Sequence, residues 1–173
     1  GAKFDPDKTK WFQQQHLRLR DNAVLAAELK ILVEGDHSLE NLSAVCRLMK
    51  ERATFIQDIL TEGGYLIGRP TSYDEKTVRK KWKEHSPALM LEWLTELKSV
   101  TTFNAEMIES AFKAFLKVRE MGVGAVLPLF RLLITGKGMG PSMFEIAEFL
   151  GKEECAERIT TGILEVSIVS SNV

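Results

Sequence analysis

Val126-Leu-Pro-Leu-Phe-Arg-Leu-Leu-Ile-Thr-Gly-Lys-Gly-Met-Gly-Pro-Ser-Met-Phe-Glu-Ile-Ala-Glu-Phe-Leu-Gly-Lys-Glu-Glu-Cys-Ala-Glu-Arg-Ile159 decides the fold class. Its opening run is an apolar helix stopped at a glycine-rich turn. A second, amphipathic helix follows and stops at Gly151, and a third starts at Lys152. Between the first two lies Thr135–Pro141, polar and rich in glycine, with one lysine, Lys137. A rigid helical frame presenting such a loop is a common way to hold a recognition surface.

Helix signals extend upstream in the same style. Asp5-Pro6 is an N-cap followed by proline at the first helical position, which starts a helix through Trp11 to Leu17. Asp21 caps Asn22–Glu34, closed by Gly35. Ser38 opens the longest predicted helix. Its Leu39, Leu42, Val45, Met49, Phe55 (or Ile56) and Ile59 recur roughly every 3.6 residues, until Gly63-Gly64. Gly68, Pro70, Thr71 and Ser72 make a loop, followed by a basic, solvated helix over Thr77–Lys83. Ser86-Pro87 repeats the cap-then-proline signal and launches a helix burying Leu89, Trp93, Leu94 and Leu97. Asn104 caps another, with Ile108, Phe112, Phe115 and Leu116 inward and Gly122 behind it. The last helix runs from Lys152 to about Leu164, and the polar tail from Ser167 frays. No segment alternates with period two. The chain is therefore expected to be all-α, a helical bundle or cage of two small subdomains with the seam between Gly63 and Ser72.

Composition bounds the function. The 173 residues are 45% hydrophobic and 27% charged, with a net charge of −1. That balance describes an ordinary globular protein and lacks the basic surplus that phosphate binding usually leaves. Charge is nevertheless clustered locally, at Arg47, Lys50 and Arg52 and again at Arg79, Lys80, Lys81 and Lys83. The second cluster reads as a solubilising face, with a secondary phosphate contact as the alternative. Cys46 and Cys155 have no Cys or His at ligand spacing, which excludes zinc and a disulfide framework and fits a reducing compartment. No 18-residue apolar run appears, so the expectation is a soluble cytoplasmic protein without a membrane partner. Gly1 reads as a tag-cleavage scar, hence as the start of an expressed fragment.

Catalytic chemistry is weakly represented. Gly136-Lys137-Gly138-Met139-Gly140-Pro141-Ser142 has glycines and a lysine, but a phosphate loop needs its lysine after the spaced glycines and before Ser or Thr, following a strand. His37, between Asp36 and Ser38, fits a capping turn. Glu148 and Lys152 stand at i,i+4 on a solvated face. Trp11 and Trp93, at helical spacing among apolar residues, are expected in the core rather than as base-stacking platforms. The near-neutral charge would also suit a helical protein-interaction domain with no RNA role.

Lys10-Trp11-Phe12-Gln13-Gln14-Gln15-His16-Leu17-Arg18, with Phe4-Asp5 before it, is similar to the K-x-x-W-x-N-x-x-Y-[IL]-R element that follows the catalytic domain of the bacterial glutamyl-tRNA synthetases, and two further segments resemble the same family. Leu129-Phe130-Arg131-Leu132-Leu133-Ile134-Thr135-Gly136 resembles the P-L-R-x-A-L-T-G helix end. Gly140-Pro141-Ser142-Met143-Phe144-Glu145, then Leu150-Gly151-Lys152-Glu153 and Arg158-Ile159, resemble the x-P-x-L-F-E…L-G-[KR]-E…R-[IL] finish. Gln13 or Gln14 stands in place of Asn, His16 in place of Tyr, and the proline comes one residue early, as Pro128. The H-I-G-H and K-M-S-K-S catalytic elements are both missing from the sequence.

The resemblance implies an all-α anticodon-binding region. Residues 1–20 would be a linker helix following an absent catalytic domain, with helical subdomains at 21–70 and 71–173. It implies tRNA-Glu as partner, a monomer, no cofactor in this fragment, and ATP and Mg in the parent ligase. The fragment alone would form no glutamyl-adenylate. By matching motifs, anticodon readers fall on Arg52, Arg131, Gly140, Pro141 and Met143, with secondary contacts at Arg47, Thr135 and Lys137. Arginines and loop backbone groups suit the exposed edges of unstacked bases. Pro141 and Met143 would offer apolar surface to a base, and Gly136, Gly138 and Gly140 a close backbone approach.

Overall fold

The computed structural model describes residues 3–173, and these fold as ten α-helices with no strand. They divide into two compact units, the first ending at Ile67 and the second running Gly68–Val173.

The first unit holds α1 (Pro6–Leu19), α2 (Asn22–Leu32), α3 (Leu39–Met49) and α4 (Ile56–Gly63). The first three begin at a side-chain cap. Asp5 accepts from the N–H groups of Asp7 and Lys8, Asp21 from Ala23 and Val24, and Ser38 from Asn41. Each satisfies first-turn donors that the helix leaves without partners, which is worth about 1 kcal/mol. Leu25 and Leu29 of α2 are buried with Leu42, Val45, Cys46 and Met49 of α3 and Ile59 of α4.

The long helix expected from Ser38 to Gly63 is not formed. α3 ends at Met49, Lys50–Arg52 make a 3-10 turn, and Ala53 and Phe55 are extended. Asp58 is the cause: its Oδ2 accepts the N–H groups of both Thr54 and Phe55 at 2.9 Å. A carboxylate reaching back in this way nucleates a new helix start, and it overrides an apolar spacing that happens to carry through. Trp11 is also not in the core. It is 53% exposed, with its ring edge-on to that of Phe12 at 5.1 Å.

The second unit holds α5 (Glu75–Lys81), α6 (Ser86–Ser99), α7 (Ala105–Val118), α8 (Val123–Thr135), α9 (Met143–Leu150) and α10 (Lys152–Asn172). Trp93 of α6 is fully buried, edge-on to Phe112, Phe115 and Phe130 at 5.1–5.5 Å. Ser86 does not cap α6 as expected. It is itself buried inside the first turn, and its Oγ accepts the Lys83 N–H at 2.8 Å. α10 does not fray at Ser167 but continues to Asn172, with Val166 buried beneath it and the Ser167 hydroxyl bonded to Ile163 O. Lys152, read as a partner of Glu148, instead donates to Lys98 O at 3.1 Å.

α8 is the central element of this unit, with Val126, Leu129, Phe130, Leu132, Leu133 and Ile134 all buried. Pro128 lies inside it. Proline has no N–H, so the carbonyl four residues earlier, on Gly124, loses its helical donor. Lys81 Nζ supplies one at 2.9 Å. Gly162 of α10 lets that helix close onto α8, since a Cβ there would come within 3.0 Å of Leu133 Cδ2.

Candidate nucleic-acid interface

α8 ends at Gly136, whose φ of +71° is a left-handed C-cap conformation. The chain then turns through Lys137–Pro141 and enters α9, where Ser142 Oγ accepts the Glu145 N–H at 3.3 Å. This turn is fastened from three directions. Thr135 Oγ1 donates to Arg131 O at 2.7 Å and accepts from Lys137 N at 3.0 Å. Gly136 O accepts from Asp74 N at 2.8 Å. Ile134 O, one residue before the turn, accepts from Arg158 Nη1 at 2.9 Å.

Arg158 is the anchor of a wider cluster. It is only 4% exposed, and its Nε donates to Glu154 at 3.0 Å while Nη2 reaches Gly68 O at 3.4 Å. Glu154 also accepts from Arg69 Nε at 2.8 Å, and Arg69 bonds Glu157 as well. The hydrogen bond from Arg69, followed by that from Arg158, holds the Glu154 carboxyl down at about 2. Asp74 is likewise held below its ordinary value, first by the Thr77 hydroxyl and also by the charges of Lys76 and Lys137.

Two of the turn's glycines serve the fold itself. A Cβ on Gly136 would overlap Ser72 O and come within 2.9 Å of Pro70 Cβ, and one on Gly138 would overlap Thr77 Oγ1. The sequence reading gave these glycines a close approach to RNA. The approach they make is to the 70–77 segment of the same chain. Among the described residues no group of three or more His, Cys, Asp or Glu is placed to hold a metal ion. Nor is any helix there long and apolar enough to cross a membrane.

The other assigned residues separate by exposure. Thr135 and Met143 are 2% and 1% exposed, so neither side chain offers a surface to a ligand. Thr135 ties the turn together, and Met143 packs inward with Ile146 and Ala147 of α9. That i, i+3, i+4 spacing was legible in the sequence, and it marks Met143 as core. The apolar side chain that the turn does present is Met139, 80% exposed, which the motif comparison passed over. Lys137 is exposed, while Arg131, Gly140 and Pro141 are half-buried. In the first unit, Arg47 is exposed in the last turn of α3. Arg52 is exposed at the end of the 3-10 turn. That turn is held by Arg18, which donates to Glu51 O at 2.8 Å, and by Lys50, which donates to Arg20 O at 3.1 Å.

The model of the anticodon binding domain family matches residues 15–163. The chain belongs to that family. It is 40% identical over 168 residues to the glutamate–tRNA ligase of Christiangramia forsetii, covering 94% of this chain and 33% of that one. It is 39% identical over 166 residues to the glutamate–tRNA ligase of Flavobacterium johnsoniae, with the same coverage of 94% and 33%. The crystal structure of a glutamate tRNA ligase from Elizabethkingia meningosepticum, in complex with its amino acid, superposes with a TM-score of 0.87 at 34% identity. That match covers 96% of this chain and 34% of the solved one. The anticodon binding domain thus spans about a third of the length of these relatives. Arg47, Arg52, Arg131 and the whole 135–143 turn lie inside the matched span. The match agrees with the resemblance carried by the three motifs. It gives no support to a helical protein-interaction domain without RNA binding.

Proposed function

We propose that this chain is the anticodon-reading part of a glutamate–tRNA ligase, taking the unstacked anticodon bases of tRNA-Glu. The rest of such an enzyme would bind ATP and Mg and attach glutamate to the tRNA. On this reading the enzyme is a cytoplasmic monomer. The observation that carries the reading is the family match over 15–163, which takes in both the free arginine at 52 and the fastened turn at 135–141.

The physical support lies in what each site offers. Arg52 is exposed and, among the described residues, has no ion pair, so its guanidinium can donate to a base edge without first breaking a contact. The turn offers the opposite: a backbone already ordered by the fold, with Lys137 and Met139 exposed beside Gly140 and Pro141. Met139 takes the role first given to Met143, that of an apolar surface against a base face. Arg131 sits half-buried directly behind the turn.

Titration of the 173-residue chain with a tRNA-Glu anticodon stem-loop tests this. Binding should weaken with salt and should fall by about tenfold or more when the anticodon is replaced, because the site would then leave polar groups unpaired. Equal affinity for both RNAs would reject anticodon reading.

A further inference from the structure

The basic run on α5, first read as a solubilising face, has a structural position that this reading does not explain. Residues 76–83 contain Lys76, Arg79, Lys80, Lys81 and Lys83, five cations against the flanking Glu75, which pairs with Arg79 at 3.4 Å, and Glu84, in a chain whose net charge is −1. A solubilising surface usually mixes the two signs. Val78 and Trp82, four residues apart, form the buried side of the helix. Lys76, Arg79 and Lys80 fall within an arc of about 100° on the opposite side, and all three are exposed. Lys81 is used by the fold, on Gly124 O. Lys83 folds back to donate to Arg79 O at 3.0 Å, which keeps its charge over the end of the same stripe.

The start of this helix is joined to the turn. Asp74, its N-cap, donates its own N–H to Gly136 O, and Thr77 packs against Gly138. The charges of Lys137 and Lys76 both lower the Asp74 carboxyl from its ordinary value, so both lysines lie near the start of α5. From there the cations lead away from the turn along the exposed side of α5. At 1.5 Å per residue the helical run from 76 to 81 spans about 7.5 Å, the rise of about two phosphates along one strand, and Lys83 lies just past the helix end.

We infer that Lys76, Arg79 and Lys80 of α5, with Lys83 just past its end, continue from Lys137 as a track for the phosphodiester backbone of the same RNA whose anticodon meets the turn. The inference rests on the anticodon-reading function proposed above. The ligand class is set by charge: Lys76, Lys80 and Lys83 are flexible, strongly hydrated cations that suit phosphates, and Arg79, paired on the surface with Glu75 at 3.4 Å, adds its charge to the same row. The track adds affinity uniformly across sequences, and selection remains with the turn.

The test compares two triple variants of the 173-residue chain. One carries Lys76→Gln, Arg79→Gln and Lys80→Gln. The other, a charge-matched control on the same unit, carries Lys98→Gln, Lys113→Gln and Lys117→Gln. All six positions are exposed, and thermal unfolding checks that both variants fold. Affinity is measured against the tRNA-Glu stem-loop and an anticodon-replaced stem-loop, from about 20 to 200 mM salt. The α5 variant should bind both RNAs about tenfold more weakly at low salt, with the slope of log affinity against log salt reduced by about two. Its preference between the two RNAs should be kept, and the control should match the parent chain. Unchanged affinity and slope in the α5 variant, with anticodon preference intact, overturns the track and leaves the turn's function standing. A reduced slope where the parent chain itself shows no preference keeps the track and overturns the anticodon reading. No binding by the parent chain at low salt overturns both.

Discussion

Arg52 and the 135–141 turn, both assigned to RNA in the proposed function, present their polar groups in opposite ways. Arg52 is a long side chain on a short 3-10 turn, free of ion pairs among the described residues, and it must lose rotamer freedom when it binds. The turn is a backbone whose freedom is already spent. Thr135, Asp74 and Arg158 hold its start through hydrogen bonds of 2.7–3.0 Å, and Gly136 and Gly138 close it against the 70–77 segment. The first arrangement is adaptable and cheap to mutate. The second is pre-organised, and its integrity depends on residues well away from any ligand.

That contrast can be broken most severely at Arg158. Replacing it by Met leaves Ile134 O and Gly68 O without their buried donor and removes one partner of Glu154. Arg158→Met should therefore cost about 3 kcal/mol of stability in urea unfolding. It should also loosen the turn, so that RNA binding falls more steeply than the folded fraction. A loss in step with unfolding alone would show that the anchor does not order the turn. Next in size, Gly136→Ala forces a Cβ into the left-handed region and into Ser72 O, costing about 2 kcal/mol.

The cluster beneath the turn also carries a pH signature. The Glu154 carboxyl is lowered from 4.5 to about 2 by its hydrogen bonds, that from Arg69 being the largest. A depressed carboxylate stabilises the fold fully above its unfolded value, and that contribution is lost as pH falls through the folded one. Melting temperature should thus drop between about pH 4.5 and about pH 2, and Glu154→Gln should flatten that part of the profile. A variant with the same acid limb as the parent chain would remove Glu154 from the account. The smallest structural effect belongs to Arg52→Gln, which should change stability by less than about 0.5 kcal/mol. Affinity for the anticodon stem-loop should nonetheless fall about tenfold, the worth of a charged hydrogen bond to a base.

Much of this fold could be read from the chain because its punctuation is local. Asp5, Asp21, Ser38, Asn104 and Ser142 accept first-turn N–H groups as their types imply. Gly136 and Gly151 end helices at positive φ. Where the reading failed, a competing local bond or a distant contact decided. Asp58 taking two backbone donors ended a periodicity that counting alone carries through to Ile59. Trp11 has the spacing of a core residue but is left exposed. At the candidate site, the motifs located the turn but could not sort its side chains. Which of Met139 and Met143 faces outward depends on where α9 begins, and Ser142 fixes that by capping Glu145. The inward role of Gly136 and Gly138 depends on a segment more than sixty residues earlier, the 70–77 loop, and no local pattern reports it.

In the proposed function the ordered turn and Arg52 each meet anticodon bases. Backbone amide NMR of the 173-residue chain during titration with the tRNA-Glu anticodon stem-loop tests this proposal most directly. Saturable shifts are expected at the backbone amides of Lys137, Gly138, Met139, Gly140 and Arg52, and they should weaken together when the anticodon is replaced. Shifts confined to other residues, or identical shifts with both RNAs, would contradict it.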